Sequence, residues 1–174
     1  GVSRWTLANG VRLILKPTDF KADEVVLSGY SPGGVSRLPD SLRIASVFAA
    51  GALRGGGLGQ FRAIDLQKKL AGKLVNVGPY IGPYEEGISG GATPRDLPTL
   101  FQLVYLLFTA PRVDSSAFGV MHANFRTQLV QRVANPAAAF QDTLGVTLAQ
   151  HHPWSEPPTP GQTDSIHIGE VYGA

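Results

Sequence analysis

The sequence predicts an α+β domain: an antiparallel or mixed sheet with helices packed on one face. Three observations carry that prediction. Alternating apolar residues flank Asn9-Gly10 near the start, and apolar positions recur at helical spacing from Leu42 onward. The order along the chain is strands, helices, strands, then a run of helices. At 174 residues the chain has the length of one domain and can bury a sizeable core.

Each element has a local reason. Trp5 and Leu7 alternate with polar neighbours, and Val11, Leu13 and Leu15 resume the alternation, which predicts a hairpin with a type I′ turn at Asn9-Gly10. A third strand, Glu24 to Tyr30, should join the same sheet and end at Ser31-Pro32-Gly33-Gly34. The period then changes. After the start signal Pro39-Asp40-Ser41, the positions Leu42, Ala45, Ala49 and Ala52 mark a helix to about Leu53, which Gly55-Gly56-Gly57-Leu58-Gly59 should break. A short helix over Phe61 to Leu70 precedes two strands, Leu74 to Val77 and Tyr84 to Ser89. Asp96 is placed to cap a helix with Pro98 at its second position, and Leu97, Leu100, Phe101, Val104 and Phe108 form its buried face. Helices over Phe118 to Val133 and Ala137 to His151 follow, and the tail 153–174 reads as loop.

Composition excludes several functions. Charged residues are 16% of the chain against a usual ~25%, and 15 basic against 13 acidic residues leave +2. That balance is wrong for a nucleic-acid surface. The absence of cysteine rules out disulfides, thiolate zinc sites and cysteine nucleophiles. The longest apolar uncharged stretch, Leu97 to Ala110, falls short of the roughly 20 residues that span a bilayer. The start has neither methionine nor signal peptide, so the chain reads as processed or excised from something longer.

Three motifs invite chemistry. Gly87-Ile88-Ser89-Gly90-Gly91 fits the serine-hydrolase pattern, which would make Ser89 a nucleophile on a strand-to-helix turn. The preceding prolines and glutamates, and the lack of later strands to carry Asp and His, favour a glycine-rich strand end instead. Gly55 to Gly59 could cradle a phosphate before a helix, but no Gly-Lys-Ser/Thr follows, so a connecting loop is the better reading. His122, His151, His152 and His167 show no metal-ligand spacing, and Arg126 and Arg132 read as a solvated helix face.

The order of short words in the chain nevertheless resembles a known family. Trp5-Thr6-Leu7-Ala8-Asn9-Gly10-Val11 opens like the pitrilysin-type zinc peptidases, which include insulysin and the mitochondrial processing peptidase. Ser31-Pro32-Gly33-Gly34, Gly57-Leu58-Gly59-Gln60-Phe61, Arg95-Asp96-Leu97 and Leu107-Phe108-Thr109-Ala110-Pro111 keep the family's order. The chain is most similar to a non-catalytic third domain of the long bacterial members, over residues 2 to about 153.

The resemblance implies that catalytic domains of the family hold zinc on an inverted H-x-x-E-H helix, with a later glutamate as third ligand. Here the corresponding positions are Ser46, Ala49 and Ala50, and no His, Asp or Glu lies between Asp40 and Asp65. The expectation is therefore a chain without metal, cofactor or activity of its own, zinc belonging to another domain of the parent. Its partners would be the parent's other domains and a peptide substrate, with Gly55, Gly56, Gly57 and Gly59 near a substrate loop. The resemblance also implies a single domain over 1–174 that stops short of a final strand and helix, and hence self-association of the isolated piece. A bacterial periplasmic location is likewise an expectation from the family alone.

Overall fold

The computed structural model describes residues 1–173. Ser3–Thr6 (β1) pairs antiparallel with Arg12–Leu15 (β2), with Trp5 directly opposite Leu13. The turn between them is not type I′. Gly10 N–H donates to Leu7 O at 2.9 Å and Leu7 N–H to Val11 O at 2.8 Å. Gly10 alone takes a positive φ there, 86°. A type I′ turn needs Asn9 left-handed as well, so this is a three-residue loop ending on a left-handed glycine.

Val25–Pro32 (β3), Val75–Ile81 (β4) and Glu85–Ala92 (β5) form a second antiparallel sheet in the order β3-β5-β4. The expected single sheet is thus split in two. Pro17 removes a backbone donor just after β2, and a turn before β3 redirects the chain, so β3 pairs with β5 rather than with the hairpin. β4 and β5 run beyond the expected Val77 and Ser89. Pro79 is accommodated because β4 is an edge strand. Along the sheet Ile88, Ala92 and Pro79 are buried, while Val26, Tyr30, Asn76 and Ser89 are exposed, so helices cover one face.

The described residues hold seven α-helices, two between β3 and β4 and five after β5: Arg43–Gly56 (α1), Ala63–Lys69 (α2), Leu97–Thr109 (α3), Ser115–Val133 (α4), Pro136–Leu148 (α5), Pro160–Asp164 (α6) and Ile168–Gly173 (α7). α1 runs through Gly55 and Gly56 and breaks only at Gly57, whose φ of 89° no helix tolerates. α3 turns Leu100 and Leu103 to the sheet and leaves Phe101 and Phe108 exposed, against expectation. Its sequence is apolar on nearly every side, so helical spacing alone cannot choose the buried face. Asp96 does stand before α3, but its carboxylate turns away from the helix. It accepts from Leu74 N–H at 2.9 Å and Thr93 Oγ1 at 3.0 Å, pinning the start of β4 to the end of β5.

The tail is not loop. Thr159 caps α6 with Gln162 answering in a reciprocal capping box, and Thr163 and Val171 are buried. α7 lies against α1, where Val171 joins Ala45, Phe48, Ala49 and Ala52 in the main core. Tyr172 completes the contact. Its hydroxyl is shared between Ala52 O at 3.1 Å and Arg112 O at 3.0 Å, and burial raises its pKa so that it stays a donor.

Candidate functional site

α1 carries the positions at which the family resemblance would put metal ligands. Ser46 and Ala49 are buried, and the Ser46 hydroxyl donates to Arg43 O at 2.7 Å, one turn back on its own helix. Ala49 and Ala50 offer no donor atom. On another side of α1, toward α4, the ring of Phe48 meets Phe125 edge-on at 4.9 Å and Phe118 at 6.0 Å. Such aromatic pairs are worth about 0.5–1.5 kcal/mol beyond their buried area. These residues do not fit a zinc ion, because a cation needs imidazole or carboxylate and Ser46, Ala49 and Ala50 supply neither. The nearest histidine, His122, packs on Phe48 at 5.8 Å and bonds Thr163 O through Nε2 at 2.6 Å. Its role there is structural. Among the described residues no three His, Cys, Asp or Glu side chains converge.

Beside α1 opens a groove of about 650 Å³, between the covered face of the sheet and α1, α3 and α7. Ala49, Leu53, Leu107, Phe108, Ile88 and Val171 give it apolar walls. Glu86 supplies polar atoms at the β4–β5 end, while Tyr80, one residue on from Pro79, turns its ring to the sheet's other face. Burial, with the Glu85 carboxylate adding to it, pushes the Tyr80 hydroxyl above its ordinary pKa, and it donates to Glu85 Oε1 at 3.2 Å. Glu86 Oε2 accepts from Gly34 N–H at 2.6 Å. One engaged carboxylate can orient a ligand, but it provides no nucleophile–base pair. The groove is chemically suited to holding an apolar side chain.

The glycine-rich stretch lies next to this groove and is packed. A Cβ on Gly56 would sit 2.0 Å from Arg112 O, and one on Gly57 2.2 Å from Phe61 O. Leu58 N–H donates to Phe61 O at 3.0 Å and Gly59 N–H to Ala110 O at 2.8 Å. Those donors are consumed internally, which removes the phosphate-cradle reading. Close backbone approach explains glycine at 56 and 57, and a positive φ of 57° explains it at 59.

Ser89 sits in the middle of β5, between Ser28 of β3 and Gly78 of β4, and not on a strand-to-helix turn. Neither cross-strand neighbour is a base, so the hydrolase reading fails on geometry. The flanking Gly87 and Gly90 have their own reason: a Cβ there would lie 2.1 Å from Gly29 O and 2.2 Å from Asn76 O. Arg126 pairs with Asp164 of α6 at 2.8 Å, and Arg132 with Asp142 of α5, so both arginines tie helices together. His151 and His152 lie past the end of α5, and His152 Nδ1 accepts from Trp154 N–H at 3.2 Å.

Sequence reasoning missed the groove, because Val171 and Tyr172 come from the tail read as loop. The signal was there, since Thr159-Pro160-Gly161-Gln162 is a capping box.

No family profile matches the chain. A curated relative, a "Zinc protease PQQL-like" protein of Arabidopsis thaliana, is 34% identical over 111 residues, which cover 63% of this chain and 9% of the relative. Among solved structures, the periplasmic protease PqqL from Escherichia coli superposes over 99% of this chain with a TM-score of 0.83 at 17% identity. A mutant of the ferredoxin protease FusC, solved in complex with Arabidopsis ferredoxin, does so over 99% with a TM-score of 0.79 at 18% identity. This chain spans 19% of each of those two proteases, so it corresponds to a small part of a longer molecule in all three. The fold is the α+β arrangement of a segment of those proteases. Sequence likeness and fold agree: this chain is similar to a segment of the pitrilysin-type zinc proteases.

Proposed function

We propose that this chain is a non-catalytic, substrate-enclosing segment of a zinc metallopeptidase, whose zinc and whose cutting belong to another domain of the same polypeptide. The observation that carries the reading is the chemistry of three positions on α1. Where the family resemblance would place two imidazoles and a carboxylate, there are Ser46, Ala49 and Ala50, with the Ser46 hydroxyl bonded to Arg43 O, while another side of α1 packs on α4 through Phe48. The helix pair serves as a hydrophobic girder, and the adjoining groove offers apolar walls to an extended peptide. A peptide chain is the substrate class that such a surface favours, in keeping with relatives described as proteases.

Two measurements test this on the purified chain. After dialysis against chelator, elemental analysis should find no stoichiometric zinc, and a quenched-peptide assay should record no cleavage. One tightly held zinc per chain with chelator-sensitive cleavage would overturn the reading. For enclosure, a photo-crosslinking residue at Leu53 in the full-length protease should capture peptide during turnover. The same probe at Phe20, outside the groove, serves as control.

A further inference from the structure

We infer that the outward face of α3 is the seat of another domain of the same polypeptide, joined through an uncharged aromatic contact. The inference rests on the reading above, that the chain is one segment of a longer peptidase. α3 has no charged residue from Leu97 to Thr109. Its inner side is spent on the sheet through Leu100 and Leu103, yet Phe101, Tyr105 and Phe108 stand 55%, 67% and 70% exposed. These three are spaced i, i+4 and i+7, so they line one stripe about 10 Å long on a helix that rises 1.5 Å per residue. A helix apolar on all sides belongs in an interior.

The size of the stripe selects the occupant. Three aromatics exposed to this degree present on the order of 400 Å². A stable contact between free molecules needs about 800 Å² from each partner. The stripe is therefore too small to hold a second copy unaided. Contacts between domains of one chain run at about 600–1,500 Å² in total, and the tether supplies a high effective concentration. The proteases whose folds match 99% of this chain are about five times its length, so they contain covering polypeptide of that kind. The chemistry of the partner follows from α3. With no charge to pair, a charged facing surface would be desolvated without compensation, so the partner face is apolar and neutral. Continuity adds to the case, since Phe108 also lines the groove and places the contact at its mouth.

Hydroxyl-radical footprinting of the full-length polypeptide tests the inference. Labelling of Phe101, Tyr105 and Phe108 is compared between the native protein and the same protein unfolded in urea, at several concentrations. The expected result is protection of more than about fivefold at all three positions, as for water-excluded contact centres, unchanged on dilution. Protection below that level would overturn it, as would protection that disappears on dilution, which would assign the face to a second copy. A coding frame with no further domain would do the same. The outcome is independent of catalysis: the peptidase reading fails if the full-length protein cuts no peptide with zinc, whatever the footprint shows.

Discussion

The α1–α4 helix pair and the β1–β2 hairpin are both rich in large apolar side chains, and they dispose of them in opposite ways. Phe48 is 2% exposed, enclosed by Phe118, Phe125 and Val171, whereas Trp5 and Leu13, paired across the hairpin, are each about half exposed. The hairpin hydrogen-bonds only to itself, and a lone two-stranded sheet is marginal in water. Apolar content alone does not make a core; what matters is whether a second layer lies within reach of it. The helix pair has α7 for that layer, brought back from the far end of the sequence.

Four substitutions can break or sharpen this contrast. Phe48→Ala should have the largest effect, about 3–5 kcal/mol, because it opens a cavity under three helices; urea unfolding of the two proteins measures it. Gly56→Ala should cost about 1–3 kcal/mol, since its methyl would press on Arg112 O at a contact that backbone must yield to relieve. If Gly56→Ala unfolds at the wild-type midpoint, the close approach of α1 to the 110–112 segment is wrong. Leu13→Ala in the hairpin should fall within about 0.5 kcal/mol, as for exposed positions generally. A larger loss would show that the hairpin packs on something.

The fourth concerns acid. The backbone N–H of Leu74 holds the Asp96 carboxyl below the usual carboxylate range, against the opposing effect of burial, with Thr93 and Lys73 assisting. A depressed folded pKa contributes stability that is whole above the unfolded value, about 3.9, and is lost as pH falls through the folded one. The stability gap between wild type and Asp96→Asn should therefore be constant from neutral pH down to about 5 and narrow below about 4. A gap that stays constant to pH 2 would mean that Asp96 carries no such linkage.

Much of this was legible in the residues. Asn9-Gly10 and the Leu42–Ala52 spacing announce their elements. The failures have physical causes. α6 and α7 are five and six residues long, too short for a period to show. α3 hid its buried face by being apolar all round. Gly55 and Gly56 were read as a break because glycine weakens helices, yet weakening is not forbidding, and only the positive φ of Gly57 ends the turn. The split of the sheet depends on which strand β3 reaches first, a matter of spatial order that alternation does not encode. The groove depends on the returning tail and could not be assembled before that tail was placed.

The hydroxyl of Tyr172 reaches a carbonyl of α1 that was made 120 residues earlier. Ribosomes add roughly 5–20 residues per second, so α1 waits about 6–24 s after synthesis before its last wall arrives. During that interval the Ala45, Phe48, Ala49 and Ala52 side lacks its α7 cover, at the stage when growing chains are most prone to stick to one another. Anything that slows translation between residues 53 and 171 prolongs this exposure. The protein's yield in a cell should thus depend on elongation speed and chaperone supply more than its finished stability would indicate.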